Sequence, residues 1–235
     1  MARFVSMMWS EDVRDIEAGV AVHTVQELIS GLYRCHWPLG LISPPVGLRA
    51  FGTWVLEGAP EESPYWGTQW YIEQSYEPSV DKIVGSRFLS LVEAEPWQQD
   101  DPHYDLALVA RDLIASDDAL ASAPDSFVLG AMVPGMAAVI SIHRLRRILG
   151  IHEWQLALRR LVLHFFAHVI GLPAGRDAGS DAPHHCFNLC VMRDARDARE
   201  LVRLAMGEEE AEVTFCRECS ERLKGIIIGH HFHLS

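Results

Sequence analysis

The sequence is poor in positive charge: 20 Lys and Arg residues face 32 Asp and Glu, a formal net charge of −12. Nucleic-acid binding normally rests on a dense cationic patch that displaces counterions from phosphates, so a general phosphate-binding surface is excluded. Short basic groups such as Arg144 to Arg147 and Arg159-Arg160 are too small to reverse that balance. Long hydrophobic runs are also lacking. The most apolar later stretch, Phe127 to Ile142, is interrupted by Gly130, Pro134 and Gly135 and falls short of the roughly 20 residues a membrane helix needs. At the N-terminus, the apolar run from Met1 to Trp9 is cut off by Ser10, Glu11 and Asp12, too soon for a secretory leader. The expected location is the cytoplasm, with no membrane association. There are only 5 cysteines, and in a reducing compartment clustered cysteines hold metal rather than forming disulfides.

What is present is ample apolar content, 49% of 235 residues, which suffices for a packed core. The expected organisation is a helical, aromatic-rich part, residues 1–103, packed on the same core as a second part, residues 104–235.

The second part carries the chemistry. His164 and His168 stand four apart on a strongly apolar stretch, which on a helix places both imidazoles on one face within reach of a single ion. Taken alone, such a pair is more often chance or a hydrogen-bonded core pair. Gly171 then allows a sharp turn, and after a loop rich in Gly, Asp and Pro come His184, His185 and Cys186. Either His185 or His184 could supply a third nitrogen, leaving a fourth position for water, as in catalytic zinc sites. Cys186, Cys190, Cys216 and Cys219 form a pair of pairs ending in CxxC, the grouping of a structural zinc held by four thiolates.

This ordered series resembles the archaemetzincin family of zinc metallopeptidases. Their signature is HExxHxxGxxH, a Cys directly after the third His, a further Cys followed closely by Met, and a downstream CxxC. Here the matching residues are His164, His168, Gly171, His185-Cys186, Cys190-Val191-Met192 and Cys216 to Cys219, within a resembling region from Tyr104 to Leu223. The resemblance implies an α/β (α+β) metzincin-like twisted mixed sheet, a central zinc-binding helix, a four-cysteine subsite and two zinc ions. It implies that Met192 floors the histidine site, and that Ala137 to Ile142, the last strand before the zinc helix, lies at a sheet edge where a peptide can add. By pattern alone that segment is a buried strand.

The chain departs from the signature at three places. Phe165 occupies the position of the general-base Glu, Ala174 that of the third His, and the first cysteine pair has one intervening residue fewer than usual. A phenyl ring cannot accept a proton, and general acid–base groups contribute about 10²- to 10⁴-fold. Glu153, about 16 Å before His164 along a helix, is out of reach as a substitute; Asp177 and Asp181, in the loop, are conceivable ones. The resembled family includes members with a replaced Glu, among them bacterial transcription co-regulators of the CarG type. The expectation is thus a catalytically inactive zinc-holding homologue acting through a protein partner; the alternative is an active hydrolase with a relocated base.

Elsewhere, Val13 to Leu32 repeats with helical period, and Val80 to Glu93 reads as a second amphipathic helix. A short hairpin is expected around Phe51 to Leu56, and loop from Trp97 to His103. Trp54, Tyr65, Trp66, Trp70 and Tyr71 read as core rather than a binding surface. Tyr104 to Ala110, Phe127 to Met132 and Ala137 to Ile142 read as strands, and Arg193 to Glu210 as a solvated helical spacer. Cys35-His36 and the tail histidines His230, His231 and His233 lack a companion ligand set and are read as incidental.

Overall fold

The computed structural model describes residues 4–36, 47–53, 67–172 and 185–232. In chain order the elements are β1 (Phe4–Trp9), α1 (Asp15–His36), β2 (Gly47–Gly52), α2 (Thr68–Ser75), β3 (Tyr76–Glu77), β4 (Lys82–Val84) and α3 (Gly85–Glu93). There follow α4 (Pro96–Asp100), β5 (Tyr104–Val109), β6 (Leu113–Ile114), α5 (Asp117–Ser122), β7 (Gly130–Val133), β8 (Ala137–Ser141), a 3-10 turn at Leu145–Arg147, α6 (Ile151–Val169), α7 (Ala198–Glu210) and α8 (Arg217–Phe232).

Five strands form the main sheet in the order β2-β1-β5-β8-β7. The first four run parallel, and β7 closes one edge antiparallel to β8. A smaller sheet has the order β3-β4-β6. Strand side chains alternate between faces. Val5, Met7, Leu106, Leu108, Ala138 and Ile140 pack on one face with α1 and α6. Met8, Ala107, Val109, Ala137 and Val139 pack on the other with α2 and α3. Helix layers on both faces of a mixed sheet give the α/β class expected. Among the described residues no helix is long and apolar enough to cross a membrane.

Several local expectations change. The apolar N-terminal run is β1, which has no polar–apolar alternation because it is covered on both faces. The expected hairpin near Phe51 gives way, in its described part, to β2, which pairs parallel with β1; a parallel pair needs a long crossover, here α1. Residues 54–66, including Trp54, Tyr65 and Trp66, lie outside the described set. The helix read from Val80 begins only at Gly85, since Asp81 turns with φ 54 and Lys82–Val84 join the small sheet. Pro96–Asp100 form a short helix where loop was expected. The edge strand is β7 and not Ala137 to Ile142: the β7–β8 hairpin folds back so that the earlier strand lies outside and β8 is enclosed.

Candidate metal centre

Helix α6 is apolar almost all round in its second half, so the polar residues buried there are conspicuous. His164 is 5% and His168 2% exposed, one turn apart on the same face. The helix ends where Gly171 adopts φ 96, a left-handed conformation that favours glycine, and the Leu172 amide donates to the carbonyl of Ala167 at 2.8 Å. Beyond residues 173–184, which lie outside the described set together with His184, Ala174, Asp177 and Asp181, the chain returns at His185. The His185 ring lies 5.3 Å from that of His164 and 5.5 Å from that of His168, centroid to centroid. One nitrogen from each of the three falls within 4.8 Å of the others.

Hydrogen bonds to backbone set the tautomers. His164 Nδ1 lies 2.9 Å from the carbonyl of Val191, which can only accept, so Nδ1 carries the proton and Nε2 a lone pair. His168 donates to the Leu172 backbone, while its Nε2 is buried with no hydrogen-bond partner. A buried polar atom without a partner is costly, and an imidazole held by a carbonyl on its other nitrogen is the usual arrangement of a metal ligand. Burial first, then the neighbouring His168, lowers the His164 pKa well below its ordinary value; burial, then His185, lowers that of His168 to about 4. Both are neutral at pH 7, as metal binding requires. The trio fits a zinc ion.

The four cysteines also converge, with all sulfurs within 4.8 Å of one another. Cys186 Sγ and Cys216 Sγ are 3.8 Å apart. Thiolates bonded to tetrahedral zinc at about 2.3 Å would stand ~3.8 Å apart, so this set fits as well. The Cys216 amide donates to Cys190 Sγ at 3.3 Å, and Asn188 donates to Cys216 Sγ at 3.6 Å. Burial raises the Cys190 thiol to about 12 and raises Cys219 too. Burial would also raise Cys216, but hydrogen bonds from Cys219, Asn188 and Cys186 outweigh it and bring that thiol down to about 7.

A tightly folded loop from Cys186 to Arg193 joins the two groups. The Cys186 amide donates to the carbonyl of the fully buried Met192 at 2.9 Å, and Val191, between Cys190 and Met192, offers the carbonyl that holds His164. A residue not anticipated secures this loop. Arg160, 2% exposed on α6, donates to Glu208 at 3.0 Å and to the carbonyls of Cys190 at 3.2 Å and Arg193 at 2.6 Å. An arginine inside an otherwise apolar helical face was the signal available in the sequence.

Phe165 is 8% exposed and meets the His164 ring edge-on at 5.2 Å. A Cβ added at Gly130 would fall 2.4 Å from Phe165 Cζ, so the phenyl fills the space between α6 and the edge strand β7. Glu153 is turned the other way: its carboxylate occupies the space beside Gly150 at the start of α6. No acidic side chain joins the histidine group among the described residues.

No protein-family model matches the sequence, and no curated protein does. Solved structures do resemble the fold. An archaemetzincin from Archaeoglobus fulgidus, complexed with malonate, superposes with a TM-score of 0.56 at 17% identity, covering 93% of this chain and 98% of its own. An archaemetzincin from Methanopyrus kandleri gives 0.57 at 19% identity, covering 96% and 95%. A zinc-dependent peptidase from Methanocorpusculum labreanum gives 0.54 at 17%, covering 93% and 99%.

Proposed function

We propose that this chain, which has the fold of the archaemetzincins, is a zinc-holding member of that group that has lost peptide hydrolysis and acts through a protein partner. Its zinc ions would be two: one on His164, His168 and His185, the other on Cys186, Cys190, Cys216 and Cys219. Zinc on such a histidine trio supplies a bound water of pKa about 7 and polarises a substrate carbonyl. Peptide cleavage also needs a group that takes the water's proton and delivers it to the departing amine. The observation that carries this reading is Phe165, which stands beside His164 where that group belongs and is packed against Gly130. The histidine geometry then serves to organise α6 and the loop after it, presenting a rigid surface to another protein. The net charge of −12 favours a protein partner over nucleic acid, in keeping with a cytoplasmic transcription co-regulator.

The test compares the zinc-loaded protein with Phe165→Glu on a peptide library. The unmodified chain should show no chelator-sensitive turnover. Robust turnover that a chelator abolishes would refute the reading and favour a hydrolase with a relocated base.

A further inference from the structure

On the opposite side of the sheet from the histidines lies a third group of side chains able to ligate a metal. Glu95, between α3 and α4, is 0% exposed; His103, just before β5, is 4%; and Asp105, in β5, is 1%. One ligand atom from each lies within 4.8 Å of the others. Asp105 projects to the face of β5 that carries Ala107 and Val109, away from α6 and its histidines.

Each member is held in place by a hydrogen bond. His103 Nδ1 is 2.8 Å from the carbonyl of Asp101, so it carries a proton and Nε2 is the nitrogen beside Asp105. The Tyr71 hydroxyl donates to Glu95 Oε1. Gln98 Nε2 donates to Asp105 Oδ2 at 2.5 Å, its orientation fixed by further bonds to the backbone of His103 at 3.2 and 3.3 Å. Asp105 Oδ1 is buried with no hydrogen-bond partner, as is the hydroxyl of Ser6, the residue paired with Asp105 in the parallel register of β1 and β5.

Two features separate a cation site from a simple buried ion pair. His103 Nε2 stands 3.4 Å from Asp105 Oδ2. A charge-assisted N–H···O bond closes to about 2.7–2.9 Å, whereas nitrogen and oxygen ligands bonded to tetrahedral zinc at about 2.1 Å stand ~3.4 Å apart. The second feature is the buried Asp105 Oδ1, which has no hydrogen-bond partner and would gain one in a bound cation.

We propose that Glu95, His103 and Asp105 bind a divalent zinc-class ion, held by one imidazole and two carboxylates and independent of the histidine trio and the thiolates. Because the site is enclosed, the ion enters as the chain folds and ties β5 to the segment between α3 and α4.

The protein is expressed in zinc-supplemented medium, freed of loose metal, and its zinc per chain measured beside that of a Glu95→Gln/Asp105→Asn double variant, which keeps the side-chain shapes. The variant should contain one zinc equivalent less while remaining folded by circular dichroism. Equal zinc content in two folded proteins overturns the proposal. Crystals of the unmodified protein give an answer even if the variant does not fold. An anomalous zinc peak between the three side chains supports the site, and water or no density there, with peaks at the thiolates, overturns it.

Discussion

Phe165 occupies the volume in which any side chain at position 130 would have to stand: a methyl on Gly130 would lie 2.4 Å from its Cζ and 2.9 Å from the carbonyl of Val139. Gly130→Ala should therefore destabilise the protein by about 1–3 kcal/mol through overpacking. Phe165→Ala, which opens a void in the core, should cost about 3–5 kcal/mol. Combining the two should cost less than their sum, because each relieves the other. Urea denaturation of the three variants measures the coupling, and strict additivity would show that the ring is not wedged against β7.

Arg160 and Glu208 form an ion pair at 3.0 Å with both side chains buried. Desolvation lowers the pKa of the arginine and raises that of the glutamate, so each depends on the other to stay charged. Removing one partner of a buried pair costs about 3–5 kcal/mol. Arg160→Met also frees the carbonyls of Cys190 and Arg193, so it should weaken zinc at the thiolates as well as the fold. Glu208→Gln should lower stability while sparing the loop. Denaturation curves and zinc titration of both variants distinguish these outcomes.

In the chelated protein, the histidine trio makes stability depend on pH. His168 is held down from its ordinary 6.5 to about 4, and His164 is shifted the same way. Between these values the unfolded chain binds protons that the folded chain refuses, so stability is complete above about 6.5 and falls as the pH drops toward about 4. Denaturation midpoints of the metal-free protein should decline across that window. Zinc-loaded protein should hold its midpoint further into acid, until protons displace the metal. A flat profile in the metal-free protein would mean that these imidazoles are not buried as a group.

Cys219→Ser should abolish one zinc equivalent and loosen α8, whose first turn carries Cys219. His168→Asn should remove a different equivalent and leave the thiolate site filled. Cobalt substitution reports this directly: the intense thiolate-to-cobalt absorption should vanish in the first variant and persist in the second.

The local spacing of residues made much of this centre legible. A helical pair of histidines, a glycine turn and an ordered cysteine series bring their own geometry, and all seven residues fall into the two groups they suggested. What was hidden depends on which elements end up adjacent. Strand β1 carries no alternation because both its faces are covered, and nothing in the pattern of Ala137–Ser141 reveals that β7 folds outside it. Arg160 stands out on an apolar helical face, but nothing in the sequence pairs it with Glu208 of α7, 48 residues further on. Glu95, His103 and Asp105 carry no spacing signature, since Glu95 reaches the others only through the path of α4.

Cys190 and Val191 are consecutive, so the sulfur that joins the thiol group and the carbonyl that orients His164 are carried on one short span of backbone. An oxidant that reacts only with thiols, if it displaced this span, would therefore reach the hydrogen bond that orients His164 without touching the imidazole.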